Sequence, residues 1–463
     1  MVVGRDTIVK VLALLGNIAF ARLLSPANFG TVAFGLAVLL FVQLLSDGGM
    51  GVGLIRRPEE PQLEDLRVLL GYQLILTSIL AVIVAGAAIP FGRPGLVTAV
   101  MMPALPLLAF RAPSSIVFER SLNYAPLVKV EIAEQVAYYV WGIALILLGA
   151  GVWGLATASV AKALVGTLAM LSISPVARLT PSYSWRRLRP MLGFGVKFQA
   201  AQLSATASSQ LLTVGVAVVG GLAVAGLWSL ASRLLQVPFL LFGALWRVSY
   251  PAAAQLLSAG ESARKMIERG LGLAAVGTGV ILAPATGSLS PLVPAAFGQR
   301  WAPVADALPP IFFALQVSGP ISVASAGYLY AVGEATTVLR STVAILIIWP
   351  AVSLPLLAPL GLVALGLGGM IAAFVEAVIL SRATRRLTQA AFLQPILMPW
   401  VAASVAGASG WFVSRAVSHG VLAAALGAAV AMCVYAVPIV LLRRETLLTI
   451  VRLASRAAAR PRS

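Results

Sequence analysis

Three basic residues lie within long apolar stretches of the sequence: Arg22, Lys197 and Arg233. A charged side chain inside a membrane span is energetically costly, so it usually faces the protein interior or a water-filled cavity. Arginine offers paired hydrogen bonds to a phosphate, and lysine offers a movable point charge. These residues therefore predict contacts with an anion. The alternative for Arg22 and Lys197 is to reach the membrane surface, and for Arg233 it is a structural ion pair, with Asp47 as one candidate partner.

The apolar stretches also carry isolated carboxylates and a group of amides. Asp47 precedes two glycines, which allow close helix packing or local unwinding, so Asp47 is a candidate for a gating or ion-coupling carboxylate. Glu376 is a second candidate, and a structural ion pair is the alternative for both. Gln199, Gln202 and Gln210 make one stretch unusually polar. They predict either a wet cavity wall that binds hydroxyl groups or hydrogen bonds between helices.

The inventory of reactive residues argues against an enzyme. His419 is the only histidine and Cys433 the only cysteine, so the sequence offers neither a metal-ligating cluster nor an intrachain disulfide. No glycine-rich phosphate loop or nucleotide-binding motif is recognisable. We therefore expect no catalytic residues, no metal and no cofactor.

The elements that position these residues are apolar helices. Of the 463 residues, 60% are hydrophobic and only 10% are charged, whereas a soluble domain has about 25% charged residues. The apolar runs are about 20 residues long, enough to cross a bilayer core of about 30 Å as helices. We predict an all-α polytopic membrane protein with about fourteen transmembrane helices. The predicted spans are residues 7–24, 30–54, 67–90, 96–117, 124–149, 151–173, 193–219, 222–248, 268–289, 305–332, 336–357, 361–381, 395–414 and 420–442.

The basic residues predict how this bundle is oriented. The net charge is +18, and with both termini in the cytoplasm 26 of the 33 Lys and Arg residues lie on the cytoplasmic side and four on the opposite side. This asymmetry follows the positive-inside rule. It favours contact with anionic membrane lipids, and we expect no nucleic-acid partner.

The pattern of spans restarts after a basic stretch in the middle of the chain. Ala225-Gly226-Leu227 echoes Asn28-Phe29-Gly30 near the start of the second span of each half, which predicts a parallel repeat with a cavity between its halves. The predicted domains are an N-terminal six-helix lobe (1–174), a cytoplasmic interfacial linker (175–192), a C-terminal six-helix lobe (193–390), an extra helix pair (391–444) and a basic cytoplasmic tail (445–463).

Several short motifs carry a resemblance to a known family. They are Ala21-Arg22-Leu23-Leu24-Ser25-Pro26, Phe29-Gly30, Asp47-Gly48-Gly49-Met50-Gly51, Leu54-Ile55-Arg56-Arg57 and Gly151-Val152-Trp153-Gly154-Leu155-Ala156. Together they resemble bacterial polysaccharide or O-antigen (Wzx-type) flippases of the multidrug/oligosaccharidyl-lipid/polysaccharide exporter superfamily. The resemblance covers about residues 4–171, and the C-terminal half is similar mainly in its span pattern.

The resemblance implies a two-lobed flippase of the bacterial inner membrane. Such a protein moves an undecaprenyl-diphosphate-linked oligosaccharide from the cytoplasmic to the periplasmic leaflet by alternating access, for surface polysaccharide biosynthesis. In this interpretation Arg22, Lys197 and Arg233 are cavity cations at staggered depths that bind the diphosphate. Polysaccharide polymerase machinery is an expected partner.

Other functions remain as alternatives. A lipid II flippase would use the same lipid carrier. A multidrug antiporter of the same superfamily needs carboxylates in its cavity, whereas the first span here holds Asn17 and Arg22, with Asp6 as its one acid at the cytoplasmic edge. A membrane glycosyltransferase, polymerase or ligase, or a scaffolding protein, would not translocate lipid.

Overall fold

The computed structural model describes residues 2–56, 59–258, 262–417 and 420–442. Within these ranges the regular structure is entirely helical and no strand is present, which confirms the all-α fold class. The helices are α1 (Val2–Leu23), α2 (Pro26–Asp47), α3 (Met50–Arg56), α4 (Leu63–Ala88), α5 (Gly92–Met101), α6 (Ala104–Arg120), α7 (Tyr124–Leu145), α8 (Val152–Ile173), α9 (Trp185–Ser258), α10 (Ala263–Phe297), α11 (Pro303–Ala331), α12 (Ala335–Leu360), α13 (Val363–Thr388), α14 (Leu393–Val417) and α15 (Val421–Leu442).

The helices have the length and composition of a multi-pass membrane protein. Among the described residues, eleven helical segments are long and apolar enough to cross a membrane. One of them, Leu63–Arg120, contains 58 residues, which at about 1.5 Å per residue is enough for two crossings of a core of about 30 Å. Large apolar side chains such as Val82 and Leu148 are exposed on the surface. Lipid tails solvate such side chains, so an apolar exterior is expected of a protein in a bilayer.

The first helical connection follows the local sequence signals closely. The Asn28 N–H donates a hydrogen bond to Ser25 Oγ over 3.3 Å, and Pro26 occupies the first position of α2. Ser25 thus satisfies one of the backbone N–H groups that a helix start leaves without a partner. Proline is tolerated at this position because the N–H it lacks would not be used there. Helix α2 therefore begins where Ser25 and Pro26 provide two local start signals.

The predicted second span, residues 30–54, contains a break. Helix α2 ends at Asp47 and α3 begins at Met50. Gly48 and Gly49 have φ values of +57° and +66°, a left-handed conformation that costs glycine little because it has no Cβ. The two glycines therefore place the Asp47 side chain at a helix end, where nearby backbone N–H groups are available.

Helix α9 contains a second glycine break. Its 74 residues are helical except at Gly221, where φ is +81° and ψ is 170°. This break falls between the predicted spans 193–219 and 222–248. Close to it, a Cβ atom on Gly30 would overlap the Leu222 carbonyl oxygen, and one on Gly226 would overlap the Pro26 carbonyl oxygen. The start of α2 and this part of α9 thus pack backbone against backbone.

The segment that precedes α9 is bound to the start of α4. The Ser182 N–H donates to the Arg67 carbonyl oxygen over 3.1 Å, and Ser182 Oγ donates to Glu64 Oε1 over 2.7 Å. One turn further on, Arg187 forms an ion pair with Asp65 at 3.0 Å. Hydrogen bonds and charge pairing therefore fix residues 182–187 along the first turns of α4.

The last two helices pack on α10. Three glycines, one each from α10, α14 and α15, meet at this contact: Gly287, Gly410 and Gly427. Glycine permits this close approach of helices, which gains van der Waals contact inside a membrane. Tyr435 on α15 donates a hydrogen bond to the Val276 carbonyl oxygen on α10 over 2.9 Å. The three helices thus form one tightly packed group.

The chain divides into two compact units, residues 1–226 and residues 227–463. The predicted lobe, linker and helix-pair boundaries remain predictions, and the predicted tail, 445–463, lies outside the described residues.

Candidate functional site

A polar cavity lies inside the N-terminal unit. It has a volume of about 480 Å³ and is formed by α2, α3, α4 and α6. Its polar lining residues are Gln43, Ser46, Asp47, Gln73, Thr77, Arg111, Ser115 and Glu119. Leucine, isoleucine and alanine side chains make up most of the remaining wall. This composition is typical of ligand pockets, which have a mostly apolar wall and a few polar groups that point into the same space.

Asp47 and Gln73 form the central contact of this cavity. Gln73 Nε2 donates to Asp47 Oδ1 over 3.2 Å, and the Gly49 N–H also donates to the Asp47 carboxylate. The second contact depends on the glycine break after α2. Gln73 itself is only 4% exposed, and its Oε1 has no hydrogen-bond partner among the described residues.

Glu119 adds a second carboxylate to the cavity wall. It is half-buried near the end of α6, and its charge interacts with that of Asp47. Next to it, Arg120 donates to the carbonyl oxygens of Leu54 and Ile55 over 3.0 and 3.3 Å. Arg120 thus binds the last carbonyl groups of α3, where a cation is favoured by the helix dipole.

A buried ion pair stands beside the cavity. Arg111 on α6 forms a salt bridge with Glu134 on α7, and Glu134 is 7% exposed. A Cβ atom on Gly166 of α8 would overlap the Glu134 side chain, so Gly166 leaves the space that this carboxylate occupies. The ammonium of Lys162 lies 5.9 Å from the centre of the Tyr138 ring, within the range of a cation–π interaction. These residues join α6, α7 and α8.

The C-terminal unit has a cavity of similar size and different chemistry. Its volume is about 470 Å³, and it lies between α10, α11 and α14. Phe313, Trp411 and Phe412 line it together with prolines and small residues, whereas Asp306 and Gln316 are its longest polar side chains. Near this cavity, Arg415 lies 4.1 Å above the Trp411 ring.

The structure brings few of the sequence-predicted site residues together. Asp47 lines the N-terminal cavity. Arg22 is exposed in the last turn of α1, and Gln210 and Arg233 are half-buried on α9. Glu376 on α13 accepts a hydrogen bond from Ser322 Oγ over 3.2 Å. Lys197, Gln199 and Gln202 belong to α9, and the structure describes their backbone but not their side chains.

Sequence reasoning missed Gln73, Arg111 and Glu119 as neighbours of Asp47. One signal was available: Gln73 and Thr77 are four residues apart in an otherwise apolar span, so they share a helix face. No group of three or more His, Cys, Asp or Glu residues that could hold a metal ion occurs in the part of the chain described here.

Residues of both units match a known protein family. The family described as "Polysaccharide biosynthesis protein" matches residues 19–306. A curated relative, the succinoglycan biosynthesis transport protein ExoT of Rhizobium meliloti (strain 1021), is 25% identical over 296 residues. That alignment covers 61% of this chain and 58% of ExoT, so it spans less than two thirds of the relative.

Two kinds of solved structure share the fold. The lipid II flippase MurJ, in an inward closed conformation, superposes with a TM-score of 0.72 at 11% identity, over 96% of this chain and 98% of MurJ. An inward-facing multidrug resistance transporter of the MATE family, in the MOP superfamily, gives a TM-score of 0.61 at 17% identity, over 82% of this chain and 98% of its own. These matches establish a MurJ/MATE-like transporter fold.

Proposed function

The chain belongs to the polysaccharide biosynthesis protein family, and on this premise we propose that it is a flippase for a lipid-linked oligosaccharide. It moves an undecaprenyl-diphosphate-linked glycan repeat unit from the cytoplasmic to the periplasmic leaflet of the bacterial inner membrane. The family match is the main support for this proposal. The matched residues, 19–306, include Arg22, Asp47 and Arg233. The MurJ-like fold and the transport relative support a transporter rather than an enzyme.

The proposed substrate has two parts that need different contacts. Arg22, Lys197 and Arg233 bind the diphosphate in this proposal, since cations in a low-dielectric environment attract phosphate strongly. Gln199, Gln202 and Gln210 form the polar wall for sugar hydroxyl groups in the same proposal. They can do so because amides both donate and accept hydrogen bonds.

The orientation and driving force follow from charge. With both termini in the cytoplasm, the basic connections face the anionic lipids of the inner leaflet. An inside-negative potential favours outward movement of each negative charge by about 2.3 kcal/mol per 100 mV. Export can therefore proceed on the membrane potential, with Asp47 and Glu376 as the proposed coupling or gating carboxylates. A periplasmic polysaccharide polymerase is the proposed consumer of the product.

Two alternatives within the same fold make different predictions. A lipid II flippase would transport a peptidoglycan precursor in preference to a polysaccharide repeat unit. A multidrug antiporter would export organic cations, which Arg22 and Arg233 would repel if they face the cavity. The first alternative is supported by the MurJ fold and the second by the MATE fold.

The test is lipid translocation in proteoliposomes. A fluorescent undecaprenyl-diphosphate oligosaccharide is placed in the inner leaflet, and its arrival in the outer leaflet is followed by a membrane-impermeant quencher. We expect Arg233→Ala to lower the rate at least tenfold and Arg233→Lys to restore part of it. Arg93→Ala, which removes an exposed cation from the first turn of α5, is the matched control. Equal rates for Arg233→Ala and Arg93→Ala would contradict the role of Arg233, and preferential transport of lipid II or a cationic dye would favour the alternatives.

A further inference from the structure

The C-terminal cavity is a groove that follows α11 from its first turn toward its middle. Asp306 and Gln316, ten residues apart on this helix, both line it. This separation corresponds to about 15 Å along a helix, which is half of a bilayer core of about 30 Å. The groove therefore has the length of one membrane leaflet. Its volume of about 470 Å³ lies within the range of about 300 to 1,000 Å³ that is typical of ligand pockets.

One end of the groove carries a pair of opposite charges. Arg415, in the last turn of α14, lies 3.8 Å from Asp306, in the first turn of α11. Arg415 Nε donates to Ser290 Oγ on α10 over 3.1 Å, and the guanidinium lies 4.1 Å above the Trp411 ring. Contacts from three helices thus hold the guanidinium in one position at the end of the groove.

Both charged groups remain available to a ligand. About half of each side chain is exposed, and their separation of 3.8 Å is longer than a hydrogen bond. A guanidinium binds phosphate through paired hydrogen bonds, and a carboxylate accepts hydrogen bonds from an ammonium group. A ligand that carries a phosphate and an ammonium close together would therefore bind Arg415 and Asp306 at once.

The wall beyond this charged pair is apolar and partly exposed. Phe313 on α11 and Phe412 on α14 line the groove, and they are 38% and 66% exposed. Ala408, one turn before Phe412, is exposed in the same wall. Trp400 packs on Phe313 with ring centres 5.0 Å apart. In a membrane, exposed apolar side chains of this kind contact lipid tails.

A phospholipid has the same arrangement of charge and apolar surface as this groove. Its charged headgroup lies at the membrane edge, where α11 begins and α14 ends, and its acyl chains extend inward. The charged end of the groove carries one positive and one negative side chain, so it complements a zwitterionic headgroup better than an anionic one. An ammonium with N–H groups can donate to Asp306, whereas a trimethylated ammonium cannot.

We propose that the groove between α10, α11 and α14 binds one phosphatidylethanolamine molecule. Its phosphate contacts Arg415, its ammonium contacts Asp306, and one acyl chain lies along Phe313 and Phe412. This inference goes beyond the proposed function, because the lipid is a resident of the membrane and not the transported substrate.

The experiment measures lipid binding without transport. The purified full-length chain in detergent is titrated with phosphatidylethanolamine, phosphatidylcholine or phosphatidylglycerol that carry identical acyl chains. Native mass spectrometry gives the dissociation constant of the first bound lipid. We expect phosphatidylethanolamine to bind about fivefold more tightly than the other two, because neither of them can donate an ammonium N–H to Asp306.

Two variants test the charged pair. Asp306→Asn removes the negative charge, so the preference for phosphatidylethanolamine over phosphatidylglycerol should disappear. Arg415→Gln removes the partner of the phosphate and should weaken the binding of all three lipids about tenfold. Arg93→Gln, which removes an exposed cation from α5 in the N-terminal unit, is the matched control and should leave all three affinities unchanged.

A second pair of variants tests the apolar wall without changing any charge. Ala408→Phe places a ring in the groove, whereas Val405→Phe places a ring at an exposed position of the same helix outside the groove. Both positions are exposed, so neither ring has to enter a packed core. We expect Ala408→Phe to weaken phosphatidylethanolamine binding severalfold and Val405→Phe to leave it unchanged.

The proposal would be overturned if the wild-type chain bound the three lipids equally, or if Asp306→Asn and Arg415→Gln both left phosphatidylethanolamine binding unchanged. Displacement of phosphatidylethanolamine by an equimolar amount of undecaprenyl phosphate would also overturn it, because the groove would then belong to the carrier lipid. The proteoliposome assay separates this inference from the proposed function. Selective lipid binding without translocation would support the groove and contradict the flippase, and translocation without selective binding would do the opposite.

Discussion

Two cavities of this protein, one in each unit, are nearly equal in size and differ in their charged and aromatic side chains. The N-terminal cavity holds Asp47, Glu119 and Arg111, whereas the C-terminal cavity is lined by aromatic side chains with Asp306 and Gln316. Their volumes are about 480 and 470 Å³. Size alone therefore does not distinguish them. The N-terminal cavity therefore has more charged side chains, and the C-terminal cavity has more aromatic ones.

Ion pairs show the same contrast. In the N-terminal unit Glu134 of the Arg111–Glu134 pair is buried, while in the C-terminal unit Arg415 and Asp306 lie 3.8 Å apart with both side chains about half exposed. A buried carboxylate that loses its partner is left with an uncompensated charge. An exposed pair is screened by solvent and contributes little. The Arg111–Glu134 pair is therefore expected to contribute more to stability than the Arg415–Asp306 pair.

The largest effect should come from breaking the buried pair. We expect Arg111→Leu to lower the free energy of unfolding by about 3 kcal/mol, because Glu134 then stays buried without its guanidinium partner. Arg415→Leu, its counterpart in the C-terminal unit, should cost no more than about 1 kcal/mol. Unfolding in detergent, followed by circular dichroism, measures both values.

A double variant tests the cause of that loss. Replacing both Arg111 and Glu134 by leucine should recover most of the lost stability, because no charge then remains buried. If the double variant is less stable than Arg111→Leu alone, the ion pair is not the source of the effect.

The packing of the C-terminal helices should give the next largest effect. A Cβ atom on Gly287 would lie 2.9 Å from the Gly427 carbonyl oxygen and 3.1 Å from the Gly410 Cα. Gly277, on the same helix, has no atom within 4 Å of the corresponding position. We expect Gly287→Leu to destabilise the protein by about 2 to 3 kcal/mol through overpacking, and Gly277→Leu to have little effect. Equal melting temperatures for the two variants would show that α14 and α15 are not held by this close contact.

The smallest predicted effect is a difference in stability between variants of two buried glutamines, Gln73 and Gln316. The Oε1 atoms of Gln73 and Gln316 both lack a hydrogen-bond partner among the described residues, but Gln73 Nε2 donates to Asp47. Gln73→Leu should therefore cost about 1 to 2 kcal/mol, because the Asp47 carboxylate loses a donor. Gln316→Leu removes a buried polar group and should be neutral or slightly stabilising. Thermal unfolding measures both variants. A larger loss of stability for Gln316→Leu than for Gln73→Leu would contradict the predicted difference between the two cavities.

The sequence predicts the fold well because its signals are local. Apolar runs of bilayer length indicate the helices, Ser25-Pro26 marks a helix start, and the glycines after Asp47 allow the break that the structure contains. Each of these signals depends on neighbouring residues only. The same reasoning placed Asp47 before two glycines that allow close helix packing or local unwinding.

Local signals of this kind do not predict which residues line the N-terminal cavity. Gln73 is 26 residues from Asp47 along the chain, and Glu119 is further still. Arg111 lies within the predicted span 96–117 and Glu119 two residues after its end, and packing of α6 against α4 and α7 brings them to a cavity and a buried pair. Helix contacts of this kind depend on tertiary packing, for which hydropathy gives no signal. The roles of Arg22, Lys197 and Arg233 stay predictions.

Lipid translocation by the wild-type chain tests the central claim most directly. Proteoliposomes and protein-free liposomes are loaded with the same fluorescent undecaprenyl-diphosphate oligosaccharide, and an impermeant quencher reports the fraction in the outer leaflet. The proposed flippase should expose nearly all of the labelled lipid within minutes, while protein-free liposomes should leave about half protected. Protection that stays at the protein-free level with several different glycans, for a folded protein, would contradict the claim.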